Sequence, residues 1–390
     1  MTTLTLAAVG DVLVNRDDPE TALSGIRPVL DAADVAFGNF EGVLTDAHPV
    51  TPGGSSSSLT GTRNGPGLTG LDVVSLANNH AMDAGRLGLA DTVDTLTRRG
   101  IATAGAGTTL ADALRPAVVR GRGLRVAVVA VTAVLQHGAE ARFQAPGVAP
   151  LRADDCYLPA YPGGCAPGLA PRVLSVLNEA DWEAVAAAVG RAREAADLVV
   201  ASVHWGDHTR PWVLTDHERL CAELLAEAGA NLVLGHHQHL LRGVEVIGRT
   251  PVFFGLGHIV FDYPGYAAEL ASYGLDIADA GPARLAAMFG EYGIYPRPEQ
   301  PAFPFPPLAR HTGVAVVELS PDRVRRLGLV PCVIDGAGVA RPVGRTEPAW
   351  PDALDLLQRA QQVPDLRTKI ADTGWVFGGC DVVEFAGPAD

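Results

Sequence analysis

Lysine is nearly missing from this chain: Lys369 is the only one among 390 residues. Arginine, alanine and glycine abound instead, a pattern of GC-rich codons rather than of chemistry. Basic charge as a whole is short, with 30 Lys and Arg against 44 Asp and Glu and a net charge of −14. General nucleic-acid binding and adhesion to anionic membranes both need basic patches, so neither is expected. The local spot at Arg120, Arg122 and Arg125 reads as a solvated face. No run of about 18 apolar residues goes unbroken, so no membrane-spanning helix is expected. Met1-Thr2-Thr3 leads straight into an apolar run, without the basic region, apolar region and cleavage site of a secretory signal. A cytoplasmic protein is the expectation. Cysteine is sparse and odd in number, five in all. No Cys-x-x-Cys occurs, so thiolate zinc is not expected. Cys156 and Cys165 share a Gly/Pro-rich loop and could pair, but free thiols are the expectation in a cytoplasmic protein.

What is present is a set of six short polar clusters. They are Gly10-Asp11, Asn39-Phe40-Glu41, Asn78-Asn79-His80, His204-Trp205-Gly206, Gly235-His236-His237-Gln238-His239 and Gly257-His258. Five of them close apolar runs that read as strands, at 4–9, 34–38, 72–77, 198–203 and 231–234. In layered α/β folds the C-terminal ends of parallel strands converge on one edge, and ligands bind there. Asp, Glu, Asn and His residues distant in sequence are thereby delivered to one place. Together they are the donor set of a divalent metal site.

The surrounding pattern alternates strand and helix. Helices are expected at 19–31, 83–98, 181–196, 215–228 and 351–362. Thr215 and Glu218 make a capping box for the fourth. The continuous apolar run 124–131 reads as a strand buried on both faces. A hairpin is expected from 240–247 and 251–261 around Gly248, and late strands at 311–319 and 324–333. Two stretches break the rhythm: 134–179, read as an insertion or long loop, and 264–312, an insertion or lid rich in Pro, Phe and Tyr. Neither an internal repeat nor a clear linker divides the chain, so one domain over 1–390 is expected.

Each cluster has a plainer explanation. Asp11 could cap a helix, Glu41 could lie on the surface, and His204 could be structural. Asn78-Asn79-His80 is harder to explain away, because turn capping uses only one amide. Three histidines within 236–239, after an apolar strand, point to a metal.

In order and spacing, the motifs Val9-Gly10-Asp11-Val12, Asn39-Phe40-Glu41, Leu76-Ala77-Asn78-Asn79-His80 with Asp83 and Gly85, Val203-His204-Trp205-Gly206 and Gly235-His236-His237-Gln238-His239 closely resemble the CapA-like family. That family is named for bacterial poly-γ-glutamate capsule synthesis and is related to the calcineurin-like metallophosphoesterases. The resemblance spans about residues 4 to 263. It implies a four-layer α/β/β/α metallophosphoesterase-like sandwich with inserted loops, holding one or two divalent ions. By position, Asp11, Glu41, Asn79, His204, His236 and His239 would be the ligands, and His80 matches the phosphoesterases' general acid. Three departures stand out. The first motif lacks the histidine of Asp-x-His, Gly257-His258-Ile259 replaces Gly-Asn-Phe, and His237-Gln238-His239 replaces His-Pro-His. The first departure permits a single-metal site and a harder ion. Calcium, manganese and zinc all remain open.

Three reactions fit this pattern. One is metal-dependent hydrolysis of a phosphoester or amide. Another is Cα epimerisation, L to D, of a residue in a ribosomal peptide, with His80 and His258 as the two catalytic bases. The chain is similar to the CapA-like proteins found beside lasso-peptide genes, which look like such epimerases. The third is a polymer-assembly subunit of the poly-γ-glutamate type. Epimerisation of a peptide substrate is the leading expectation here, because His258 adds a second imidazole and the two irregular stretches suit a peptide.

Overall fold

Alternation along the first strand, Leu4–Leu13, divides the molecule into layers. Successive side chains of a strand point to opposite faces. Leu4, Leu6 and Ala8 pack inward with Phe37 against Val126, Val128, Leu198, Val200 and Leu234 of a second sheet. Ala7 and Val9 face the other way, in a core with Ile26, Val29, Leu30, Leu89 and Leu96. The far face of the second sheet, through Ala127, Val129, Val199 and Ala201, is covered by Val185, Ala188, Ala222 and Leu225. The result is a four-layer α/β/β/α sandwich, as the resemblance implied. Each fully buried Leu or Val contributes roughly 1.5–3 kcal/mol, so these three cores dominate the stability. The computed structural model describes residues 2–161, 168–275, 277, 280–297, 303–371 and 373–386. The Cys156–Cys165 pairing falls on residue 165, outside the described residues. Among the described residues no helix is long and apolar enough to cross a membrane.

Among the described residues the first sheet has ten strands. Leu4–Leu13, Val35–Phe40, Val73–Ser75 and Ala102–Ala104 run parallel, each beside the next. His311–Ser320 and Arg323–Ile334 continue the sheet antiparallel on the other side. The C-terminal tail returns to it through Lys369–Ala371 and Val383–Ala386. In the six-stranded second sheet, Leu124–Thr132, Leu198–His204, Leu232–His236 and Thr250–Phe253 are parallel. The C-terminal ends of both parallel sets carry the polar clusters.

Several elements differ from the sequence pattern, each for a physical reason. The first strand does not stop at Val9 but continues to Leu13. Its pairing shifts at the bulge between Ala8 and Asp11. Its first half pairs with His311–Ser320 and its second half with His258–Phe261. The expected helix at 19–31 is broken into two 3₁₀ turns, Pro19–Thr21 and Ser24–Ile26, and the helix Arg27–Ala32. Proline lacks an N–H and suits only a first turn, and Pro28 sits in such a turn. The long hairpin is cut short. Val244–Ile247 and Thr250–Phe253 form it, but the chain then crosses to the other sheet. The stretch 134–179 holds a short strand, Gly147–Val148, and a hairpin of Ala153–Leu158 with Arg172–Leu177. The stretch 264–312 holds the helices Tyr266–Ser272 and Pro282–Phe289 around a small cluster of Leu270, Ile277, Leu285 and Tyr295.

Candidate metal centre

Two glycines let the strands approach closely enough to build the site. A Cβ on Gly10 would lie 2.0 Å from the Gly257 carbonyl oxygen, and one on Gly235 would lie 2.1 Å from that of Phe254. The residues that follow them, Asp11 and His236, are therefore set side by side at the sheet edges. The Asp11 N–H donates to the Gly257 carbonyl at 2.9 Å.

All six expected ligands converge. His239 Nδ1 lies 3.2 Å from Asp11 Oδ2, and His236 Nδ1 lies 3.7 Å from Asp11 Oδ1. Glu41 Oε1 lies 3.4 Å from His204 Nε2 and 4.0 Å from the Nε2 atoms of His239 and His80. Asn79 Oδ1 is 2.7 Å from His204 Nε2. Among the described residues, two groups of three donors lie close enough to hold an ion: Asp11, Glu41 and His239, and Glu41, His204 and His237. Glu41 is common to both. His237 was not among the expected ligands, although the histidine cluster in the sequence contains it.

The donors fit a cation. Among the described residues, both oxygens of Glu41, both nitrogens of His236 and the Nδ1 atoms of His237 and His239 are buried without a hydrogen-bond partner. A buried polar atom left unpaired costs about 1–3 kcal/mol, so several gathered in one buried cluster call for a ligand. The protonation states agree. Burial pushes His204 and His236 down to about 4 and His237 well below the ordinary histidine range. These imidazoles are therefore neutral at pH 7, the form that ligates metals. Burial opposes ionisation of Asp11, but the His239 imidazole 3.2 Å away outweighs it and holds its carboxyl well below the usual range. Burial, reinforced by the charge of Asp11, raises Glu41 to about 8. The donor atoms of Asp11 and Glu41 lie within 4.8 Å of each other, and two carboxylates so close cannot both ionise cheaply without a cation between them.

Neighbouring side chains hold the donors in place. Asn39 Nδ2 donates to Asp11 Oδ1 at 2.8 Å. Asn78 takes the turn-capping role, its Oδ1 accepting the His80 and Ala81 N–H groups at 3.1 and 3.0 Å. Asn79 is thereby left to face the site. Gln238 explains its own departure from the family pattern. Its Nε2 donates to Glu218 Oε1 at 2.9 Å and to the Phe254 carbonyl at 3.0 Å. That strap sits between His237 and His239, whose φ angles are 96° and 55°. Such backbone costs of order 1–3 kcal/mol per residue and persists only where neighbours impose it.

The two expected catalytic histidines occupy different settings. His80 lines a cavity of about 380 Å³ together with Glu41, Asn79, His237 and His239. Its Nδ1–H donates to Asp83 Oδ2 at 2.7 Å, and Asp83 Oδ1 accepts from Gln136 Nε2 at 2.6 Å. Burial disfavours the imidazolium, but the Asp83 carboxylate prevails and raises His80 to about 9. His258 is fully buried and does not line the cavity. Its ring lies behind His239, 5.6 Å away, and against Phe305 and Phe303 at 4.5 and 5.3 Å. Burial lowers its pKa well below the ordinary value. Among the described residues the rest of the cavity wall combines the rings of Phe261, Tyr263, Tyr266, Tyr273, Phe289 and Phe305 with polar Ser55, Gln136, His208 and Thr209, and Glu269 is its second carboxylate. These wall residues escaped the sequence reading. Only the richness of 264–312 in Phe and Tyr hinted at the rings.

The family described as bacterial capsule synthesis protein PGA_cap matches residues 5–263. The PGA biosynthesis protein CapA of Bacillus subtilis (strain 168) is 27% identical over 273 residues, covering 66% of this chain and 63% of that protein. A probable polyglutamine synthesis accessory protein of Mycobacterium tuberculosis (strain ATCC 25618 / H37Rv) is 32% identical over 237 residues, covering 58% and 56%. The chain thus spans less than two thirds of the length of these relatives. The crystal structure of a hypothetical protein from Thermus thermophilus aligns with a TM-score of 0.43 and 14% identity, over 84% of this chain and 98% of that one.

Proposed function

The chain belongs to the bacterial capsule synthesis protein family, and on that premise we propose that it is a metal-dependent hydrolase of an uncharged amide or a phosphoester. One observation carries the reading: His80, its Nδ1 held by Asp83 outside the donor cluster, faces the cavity beside a buried cluster of metal-type donors. Asp11, Glu41, Asn79, His204, His236 and His239 would hold the ion or ions, with His237 joining Glu41 and His204. When bound, a divalent cation supplies Lewis acidity to a carbonyl or phosphoryl oxygen. The protein's own part is proton delivery and positioning. His80 stands protonated at neutral pH and can release its Nε2 proton to a leaving group, while Asp83 keeps Nδ1–H and fixes the ring. General acid catalysis of this kind is worth about 10²- to 10⁴-fold. The aromatic wall excludes water and receives an apolar portion of the substrate. We place this reaction in the cytoplasm, with no nucleic-acid or membrane partner.

The cavity argues against the polymer-assembly role that the relatives' names raise. Among the described residues no Lys or Arg lines it, whereas Glu41 and Glu269 do. A polyanionic chain would find no fixed cationic side chain among them beyond His80.

Epimerisation of a peptide Cα is the second reading, favoured by the aromatic wall. It needs a second proton-transfer group on the opposite face of the substrate, and His258 is sealed behind His239. One experiment separates the two. Protein reconstituted with calcium, manganese or zinc is incubated in deuterium oxide with peptide amides and with p-nitrophenyl phosphate. Cleavage without deuterium uptake supports hydrolysis. Uptake of one deuterium at Cα without cleavage overturns it in favour of epimerisation.

A further inference from the structure

Hydrogen bonds at the two ends of one short serine run connect the cavity's helical wall to His80. Helix Tyr266–Ser272 places Glu269, 6% exposed, against the serine run 55–58. Glu269 Oε2 accepts from Ser55 Oγ at 2.9 Å, Ser56 Oγ at 3.0 Å and the Ser57 N–H at 2.7 Å. Since Ser55 gives its only proton to Glu269, the Tyr263 hydroxyl, 2.6 Å away, donates to Ser55. Tyr273, just past the helix, donates from its hydroxyl to the Gly54 carbonyl at 3.0 Å. At the far end of the serine run, Ser58 Oγ bonds Asp83 Oδ2. The Ser55 carbonyl is also within 2.9 Å of that hydroxyl, but the charged acceptor is the stronger. Asp83 Oδ2 is the same oxygen that holds His80 Nδ1–H. Tyr266, Glu269 and Leu270 on this helix line the cavity.

We propose that Glu269 and Ser58 are positioning residues for His80, so that the seating of the helix against the serine run sets the orientation of the proton-transfer imidazole. A substrate touching Tyr266 and Leu270 presses on the same helix. It therefore adjusts the acid it is about to use. Glu269 and Ser58 bond the serine run and Asp83 rather than the donor cluster, so their effect on His80 is separable from metal binding. The proposal rests on His80 being the proton donor of the hydrolase reading, but the geometry can be tested without turnover.

The test uses full-length protein labelled with ¹⁵N-histidine and loaded with zinc or calcium, both diamagnetic. The hydrogen-bonded Nδ1–H resonance of His80 is assigned by its disappearance in His80→Gln. Ser58→Ala should move this resonance upfield and speed its exchange with water. Glu269→Ala should do the same and also raise hydrogen exchange across 266–273. Glu269→Gln, which keeps an acceptor oxygen, should restore the resonance towards its wild-type position. An unmoved resonance in both Ser58→Ala and Glu269→Ala overturns the proposal. So does a Glu269→Gln protein that behaves like Glu269→Ala. If Glu269→Ala fails to fold, as judged by near-UV circular dichroism, Ser58→Ala decides alone. Absence of hydrolysis with every substrate would overturn the hydrolase reading and leave this resonance test standing.

Discussion

At the scale of single residues, His80 and His258 show how similar signals diverge. Both sit in polar clusters beside apolar stretches, yet His80 ends 4.0 Å from Glu41 Oε1 while His258 pairs with Asp11 in the sheet. Only His80 faces the cavity, with Asp83 fixing one nitrogen and leaving the other free. His80→Ala should reduce turnover about 10²- to 10⁴-fold with metal content unchanged, checked by kinetics alongside elemental analysis. Loss of metal in that variant would make His80 a ligand instead. The donor residues were legible because their types are rarely placed together at strand ends without a reason. The burial of His258 was not legible, because Phe303 and Phe305, which help enclose it, lie more than forty positions further on and carry no motif. Gln238 was legible only as a departure. Its partners, Glu218 on a helix and the Phe254 carbonyl, are contacts that only the folded chain provides.

At the scale of elements, the site depends on two strands that meet through glycine. Gly10 allows Leu4–Leu13 to change partners midway, from His311–Ser320 to His258–Phe261. Gly10→Ala would drive a Cβ into the Gly257 carbonyl. Backbone cannot yield as a flexible side chain does, so the cost should be at least the 1–3 kcal/mol typical of overpacking, about that or more. Thermal unfolding should show the loss, together with weaker metal retention because Asp11 follows directly. An unchanged melting temperature would mean the strands can separate freely, against this account. Most strands and helices were readable from apolar runs and caps, as with the Thr215–Glu218 capping box. The partner switch was not, and neither was the crossing after Phe253. Apolar residues flank Gly257-His258 on both sides of the crossing, so composition gives no sign that the chain leaves one sheet for the other.

At the scale of the whole molecule, three apolar cores hold two sheets so that their parallel strands open on one edge, and the donors gather there. The layer order was implied by the family resemblance that the motifs carry. The aromatic wall was not, because its residues come from loops and short helices whose positions are set by tertiary contact rather than by periodicity. The account as a whole stands on the claim that the cluster around Glu41 holds a divalent ion. Ligand binding to the folded state alone raises stability by RT ln(1 + [L]/Kd), about 2.7 kcal/mol at a hundredfold excess over Kd. The most direct measurement is thermal unfolding of chelator-stripped protein with and without added calcium, manganese or zinc, in the wild type and in Asp11→Ala. The account predicts that at least one ion raises the wild-type melting temperature and leaves that of Asp11→Ala where it was. A wild-type protein that melts at the same temperature with and without every ion would contradict it.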